Sequence, residues 1–268
     1  MRPERSGTGC PDPAAQEPII RISVITVAFN AADSIVDTLC SVQAQTHPDI
    51  EHIVVDGAST DGTLALIRAH QTGSMRLISE PDHGIYDAMN KGVAAATGEV
   101  VCFLNADDLY ADADVLARVA AQMVQEHLDA LFGDVVFFHV SNPQQSIRRY
   151  SSRRFRPARI AWGWMPAHPA LFLRREVYER TGPFRTDYRI AGDFEFIVRA
   201  FGRNTLRYHH LSEVLVRMRT GGISTGGWRN TILLNREVLR ACRENGIKTN
   251  MLKILSKYPA KLLEYFHT

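Results

Sequence analysis

The chain has 268 residues, 45% of them hydrophobic and 22% charged, and a formal net charge of +2. That length and balance fit one large folded domain with a sizeable core and exclude a collagen-like or wholly disordered chain. So small a net charge argues for no particular class of partner. The four cysteines, Cys10, Cys40, Cys102 and Cys242, form no CxxC pair. They read as reduced structural thiols of a cytosolic protein, not as a disulfide framework or a zinc site.

Residues 1–18 are rich in proline, glycine and charge and lack an apolar stretch, so they are expected to be a disordered leader and not a secretory signal. No run of about 20 apolar residues predicts a membrane-spanning helix. IIRISVITVAF (19–29) is a β-branched run suited to a strand buried on both faces. Asn30 ends it, and a helix is predicted from Asp33 or Ser34 to Gln45. EHIVVD (51–56) predicts a second strand, followed by a turn in which Ser59 or Thr60 caps a helix to His70. A third strand is predicted at MRLISE (75–80), a helix from Ile85 to Ala96, and a fourth strand at EVVCFLN (99–105). A helix from Asp112 to His127 and a fifth strand at 128–138 complete the alternation. This rhythm predicts an α/β fold with a mainly parallel central sheet and helices on both faces.

The second half is less regular. Residues 145–166 are rich in arginine and carry Trp162 and Trp164. HPALFLRREVY (168–178) reads as a strand leading into a helix, and a further helix is predicted to begin near Asp193. Short strands in LRYHHLSEVLVRMR, a flexible loop at 221–227 and a helix from Trp228 to Asn245 follow. No domain boundary is evident before about residue 246.

In open sheets of this kind, ligands bind beyond the carboxyl ends of the strands. Asn30, Asp56, Glu80 and the pair Asp107–Asp108 all fall at such ends, so they are expected to share one crevice. The first strand lacks GxGxxG, and no GxxxxGK[ST] is present, which removes the usual dinucleotide and P-loop schemes. Asp107 and Asp108 supply hard oxygen ligands suited to Mg2+ or Mn2+ bridging to phosphates, and they equally suit a helix-capping turn. Asp193 fits either a cap or a general base taking a proton from a hydroxyl. His168 fits an acceptor-site or phosphate contact, or a structural ring.

Taken in order, TVAFN (26–30), VDGASTDGT (55–63), EPDHGIYDAMNKG (80–92), FLNADDLY (103–110), HPALFLRR (168–175) and AGDFEFIVR (191–199) resemble the family 2 glycosyltransferases with the GT-A fold. The closest flavour is that of bacterial sugar transferases of exopolysaccharide and glycolipid assembly. The resemblance spans about residues 20–225 and implies a Rossmann-like sheet and a nucleotide-sugar donor. It implies that Thr26, Asn30, Asp56, Ser59 and Asp61 line the nucleotide pocket. Gly84, Ala88, Asn90 and Lys91 match the helix entrance beside the donor. Asp107 and Asp108 match the DXD-type element that holds ribose and metal, Mg2+ or Mn2+. Asp193 matches the catalytic base, and GGIS, with Gly222 and Ser224, matches the loop that closes over the donor. Many relatives carry two acids after the second strand, the second reading uracil; here that position is Gly57, so guanosine and deoxythymidine donors stay open.

The implied reaction is inverting transfer of a sugar to a hydroxyl of a glycan or lipid-linked acceptor. A metal-dependent nucleotidyltransferase, or a silent nucleotide-sugar-binding module, are the alternatives. Residues 246–268 predict an amphipathic C-terminal helical tail interrupted at Pro259, with Leu252, Leu255, Leu262, Leu263 and Phe266 among Lys253, Lys257 and Lys261. It suits either docking on the domain or peripheral contact with the cytoplasmic face of the inner membrane. No nucleic-acid-binding motif accompanies the arginine-rich stretch.

Overall fold

The computed structural model describes residues 19–203, 205–220 and 227–262. The leader with Cys10, the GGIS stretch with Gly222 and Ser224, and residues 263–268 lie outside the described residues. Strands β1 (Ile22–Ala28), β2 (Ile50–Asp56), β3 (Met75–Ser79) and β4 (Val100–Phe103) are parallel, in the order β3-β2-β1-β4. Helices α1 (Ile35–Gln43), α2 (Thr63–Ala69) and α3 (Ile85–Ala95) make the crossovers between them. The chain runs outward from β1 through β2 to β3, then returns to place β4 on β1's other side. That reversal is a topological switch point, where the strand ends leave an open crevice.

The β-branched runs are buried on both faces, as a covered parallel sheet requires. Ile25, Val27, Ile53, Val55, Val101 and Phe103 face a core that includes Tyr86 and Met89 of α3. Ile22, Val24, Val100 and Cys102 face the other way, onto Val42 of α1. Successive side chains thus take opposite faces, following the strand's two-residue period.

Beyond β4 come β5 (Asp108–Tyr110), α4 (Val115–Gln125), β6 (Ala130–His139) and β7 (Asn142–Tyr150). They are followed by β8 (Leu171–Arg174), α5 (Arg175–Thr181), α6 (Gly192–Phe201), β9 (Tyr208–Arg219) and α7 (Trp228–Glu244). Here the sheet becomes mixed. β8 inserts between β4 and β6, antiparallel to both. β6 and β7 form a hairpin, while β6 and β9 are parallel. A tight β6–β7 connection permits only antiparallel pairing, so the parallel order ends where the strand–helix alternation ends. The expected short strands near 206–219 are a single strand of 12 residues, β9.

The tail differs from expectation in one respect. Its break falls at Ser256, between α8 (Met251–Leu255) and α9 (Lys257–Leu262), and not at Pro259. Pro259 sits in the first turn of α9, where a missing N–H breaks no helical hydrogen bond. Ile254 is fully buried in the main core, and the Lys257 ammonium lies 3.4 Å from the Gly163 carbonyl. No described helix is long and apolar enough to cross a membrane. Cys102 and Cys242 are buried free thiols and Cys40 is an exposed one.

Candidate active site

The loops after β1 and β2 are laced together at the carboxyl edge of the sheet. Asn30 adopts a left-handed φ of 50°, a conformation asparagine tolerates better than most residues. Its N–H donates to Ser59 Oγ at 2.9 Å, and its side-chain oxygen accepts from the Thr60 N–H at 2.9 Å. Asp61 accepts from the N–H groups of Ala32 (3.2 Å) and Thr63 (2.9 Å). Asp56 ends β2 fully buried, accepting from Ser79 Oγ at 2.8 Å and from the Ser59 N–H at 3.3 Å. These polar residues fix the shape of the crevice wall. Thr26 lies deeper, buried in β1, with its hydroxyl 3.0 Å from His52 Nε2.

The entrance to α3 forms the next side. Gly84 has a φ of 109°, a backbone state that favours glycine, and donates to Asp82 Oδ1 at 2.8 Å. Lys91 reaches back to the Pro81 carbonyl (2.7 Å) and Glu80 (3.0 Å), closing the 80–84 loop onto the helix. Asn90 exchanges two 2.8 Å bonds with the backbone of Phe184, tying α3 to the segment before α6. Ala88 faces the core beneath. A Cβ at Gly57 would collide with Asp82 Oδ2, so the Asp82 carboxylate fills the space beside Gly57. Phe29 stands next to it, 63% exposed at the end of β1.

Asp107 and Asp108 follow β4, with Asp108 opening β5. Its partner β9 sets Asp108 opposite Met218. Asp108 is only 1% exposed, and its carboxylate is 3.4 Å from the Asn105 amide nitrogen. Burial, then the neighbouring Asp107, hold its carboxyl well above the usual carboxylate range; burial also raises Asp107. The side-chain oxygen of Asn105 is buried with no hydrogen-bond partner. Arg219, at the end of β9, opposes both carboxylates electrostatically and pairs with Asp37. Clustered hard oxygens with raised proton affinity and an orphaned amide oxygen are the chemistry of a site for a small divalent cation. No group of three or more His, Cys, Asp or Glu side chains suited to a metal occurs among the described residues. Asp107, Asp108 and the Asn105 oxygen could hold such an ion only with water or substrate completing its shell.

Across from α3, Asp193 sits in the first turn of α6. Its Oδ1 accepts from the Phe194 N–H at 2.8 Å, and Tyr86 of α3 packs against the same turn, its hydroxyl donating to the Ile190 carbonyl at 2.7 Å. Burial pushes the Asp193 carboxyl up to about 6, against an ordinary 3.8. The residue still keeps a partly exposed edge. An acid tuned to this value accepts a proton near neutral pH far better than an ordinary aspartate. His168 is buried beneath the site, stacked on Phe103 at 5.2 Å, and burial lowers it to about 4. It is a neutral ring at neutral pH.

Asn105, Arg219, Phe29 and Tyr86 were not singled out from sequence. Asn105 and Tyr86 lie within quoted motifs and were available as polar neighbours of the acids. Nothing local marks Arg219, which reaches the pair only through the β5–β9 pairing.

Fold and site together define an α/β protein that carries carboxylates at its switch-point strand ends, Asp56 and the pair Asp107–Asp108, with Asp193 at the start of α6. The Glycosyl transferase family 2 model matches residues 23–182, and the chain belongs to that family. It is a glycosyltransferase with the GT-A fold. A PGL/p-HBAD biosynthesis glycosyltransferase of Mycobacterium bovis is 35% identical over 223 residues, covering 81% of this chain and 82% of the relative. The fold matches the crystal structure of S. aureus TarS 1-349 with a TM-score of 0.62 at 21% identity, covering 83% of this chain and 65% of that one. It also matches the mannosyltransferase PcManGT from Pyrobaculum calidifontis in complex with GDP-Man and Mn2+, with a TM-score of 0.62, 24% identity, and coverage of 88% of this chain and 68% of that one.

Proposed function

We propose that the chain is an inverting, Mg2+- or Mn2+-dependent glycosyltransferase that moves a sugar from a nucleotide-sugar donor to a hydroxyl of a lipid-linked or glycan acceptor in envelope glycolipid or polysaccharide synthesis. The observation that carries this reading is Asp193, a carboxylate with its proton affinity raised to about 6 at the edge of the crevice. The relative named for PGL/p-HBAD biosynthesis supports a glycolipid product, and structures of related folds with UDP-GlcNAc or GDP-Man support a nucleotide-sugar donor.

In this reading the loops built on Asn30, Asp56, Ser59 and Asp61 shape the nucleoside pocket. The exposed Phe29 ring offers a base a stacking face, and the Asp82 carboxylate fills the space beside Gly57, the position at which the resemblance implies a second acid in many relatives. The α3 entrance, set by Gly84, Asn90 and Lys91, borders the sugar. Asp107, Asp108 and Asn105 would hold the divalent ion, which would supply positive charge for the leaving diphosphate. Arg219 adds a cation beside it. Asp193 takes the proton from the acceptor hydroxyl as that oxygen attacks the anomeric carbon from the face opposite the leaving group. One displacement inverts the centre, so no second nucleophilic carboxylate is needed.

Location is read from the surface and the tail. We place the enzyme in the cytoplasm, against the inner membrane. Trp162, Leu252 and Leu255 are exposed, Leu252 at 80%, with Lys253 packed on the Trp162 ring at 5.6 Å. Apolar anchors beside a cation suit an anionic lipid surface.

The test is Asp193→Asn, assayed with a panel of uridine, guanosine and deoxythymidine diphosphate sugars. Transfer is expected to fall at least about 100-fold, with donor binding by calorimetry nearly unchanged. Transfer at close to the wild-type rate would refute the base assignment.

A further inference from the structure

The family match ends at residue 182, yet Asp193 is held by a residue farther along the chain. Glu237 lies in the middle of α7 and is only 7% exposed. Among the described residues its carboxylate forms no ion pair with a lysine or arginine. Instead Oε1 accepts from the Arg189 N–H at 2.8 Å, and Oε2 accepts from the N–H groups of Ile190 (2.9 Å) and Ala191 (2.8 Å). These three consecutive donors belong to the segment that turns into α6, and Asp193 is two residues beyond the last.

Three charge-assisted bonds to one buried carboxylate are a strong way to fix a backbone. They also set a negative group at the amino end of α6, where the helix dipole favours it. The same segment is gripped from the opposite side. Tyr86 donates its hydroxyl to the Ile190 carbonyl at 2.7 Å, and its ring packs so closely that a Cβ on Gly192 would come within 2.7 Å of it. One residue earlier, the Tyr188 hydroxyl donates to Glu244, also on α7, at 2.9 Å. The segment 188–192 is thus clamped between α3 and α7, and Asp193 emerges from that clamp.

We propose that Glu237 is a positioning residue for the transfer reaction: from α7 it fixes the 189–191 backbone so that the Asp193 carboxylate faces the acceptor hydroxyl. The proposal rests on Asp193 being the base. The partners of the Glu237 carboxylate are three backbone N–H groups. Its effect is geometric through the three N–H bonds, and its charge adds a minor upward push, behind burial, to the proton affinity of Asp193. Tyr86 on α3 and Glu237 on α7 are the titratable groups that face Asp193.

The experiment uses the full chain. Turnover is measured with Mg2+ and two probes, UDP-GlcNAc and GDP-mannose, and the Asp193 carboxyl is titrated by NMR without metal, assigned with Asp193→Asn. Glu237→Gln removes the charge and turns an amide N–H2 toward N–H donors. It is expected to lower kcat roughly 10–100-fold while donor KM moves less than about threefold, and to shift the Asp193 midpoint downward. Glu237→Asp keeps the carboxylate on a shorter stem and is expected to recover part of both effects. An unchanged Asp193 midpoint in Glu237→Gln overturns the proposal. So does a loss of thermal stability with kcat per folded molecule intact. If Asp193→Asn itself turns over donor normally, the base reading fails, and the titration still decides the clamp. If neither probe is turned over, the titration alone decides it.

Discussion

Asp193→Asn should inactivate the enzyme and stabilise it at the same time. The carboxyl titrates at about 6 in the folded chain against 3.8 ordinarily, with burial as the main cause. Folding therefore binds protons between those values. The group's stability contribution is fully present below 3.8 and is lost as pH rises through about 6. The linkage integral puts the cost of folding with this group ionised at about 3 kcal/mol at pH 7.5, about 1.6 kcal/mol at pH 5 and about 0.6 kcal/mol at pH 4. Asparagine removes that cost and keeps an oxygen for the Phe194 N–H. Its amide N–H2 needs an acceptor in turn, which offsets about 1 kcal/mol. A net gain of about 1–2 kcal/mol at pH 7.5 corresponds to a rise in Tm of roughly 2–4 °C for a chain of this size. The assay is thermal and urea unfolding of both proteins at pH 7.5, 5 and 4. The advantage of the variant should shrink steadily as pH falls. A variant less stable than wild type at pH 7.5, or an advantage that does not depend on pH, would refute the claim that Asp193 is ionised at a cost.

Asp108→Ala should abolish the Mg2+- or Mn2+-dependent part of nucleoside diphosphate binding while folding is retained, because a buried, mutually repelling carboxylate is removed. Calorimetric titration with and without the ion checks this, and metal dependence equal to wild type would count against the acidic pair as ligands. The full chain should co-sediment with phosphatidylglycerol-containing vesicles more than with neutral ones, and Leu252→Asp with Leu255→Asp should weaken that binding. Equal recovery of wild type and double variant on anionic vesicles would sink the membrane reading.

The parallel half of the fold was legible because its signals are local. β1 and β2 are runs rich in β-branched residues, β4 is a short apolar run buried on both faces, and β1 and β2 are each followed directly by a helix. The placement of Asn30, Asp56 and the Asp107–Asp108 pair at strand ends needed only those boundaries. The quoted motifs then ordered them. What stayed hidden depends on distant pairing. β5 is three residues long and exists because Tyr110, Leu109 and Asp108 pair with Val216, Arg217 and Met218, more than a hundred residues later. β7 reads as a polar loop, NPQQSIRRY, yet it pairs along β6, and Arg149 bonds the buried Asp134 at 2.8 Å.

The same distinction separates the acids that were found from the one that was missed. Asp193 announces itself in AGDFEFIVR, at the start of a strongly apolar helix. Glu237 sits in NREVLRACRE, where a glutamate among arginines reads as one charge on a solvated face. Its partners are backbone N–H groups, which no side-chain pattern encodes. Only the packing of α7 against α6 and the burial of Val238, Ala241 and Cys242 turn its carboxylate inward. An apolar stripe can be read as a buried face, but which polar residue beside it turns inward depends on the donors that the neighbouring segment leaves unpaired. Here those donors are the three N–H groups ahead of α6, so the charge that looks most ordinary in the sequence is the one set closest behind the proposed base.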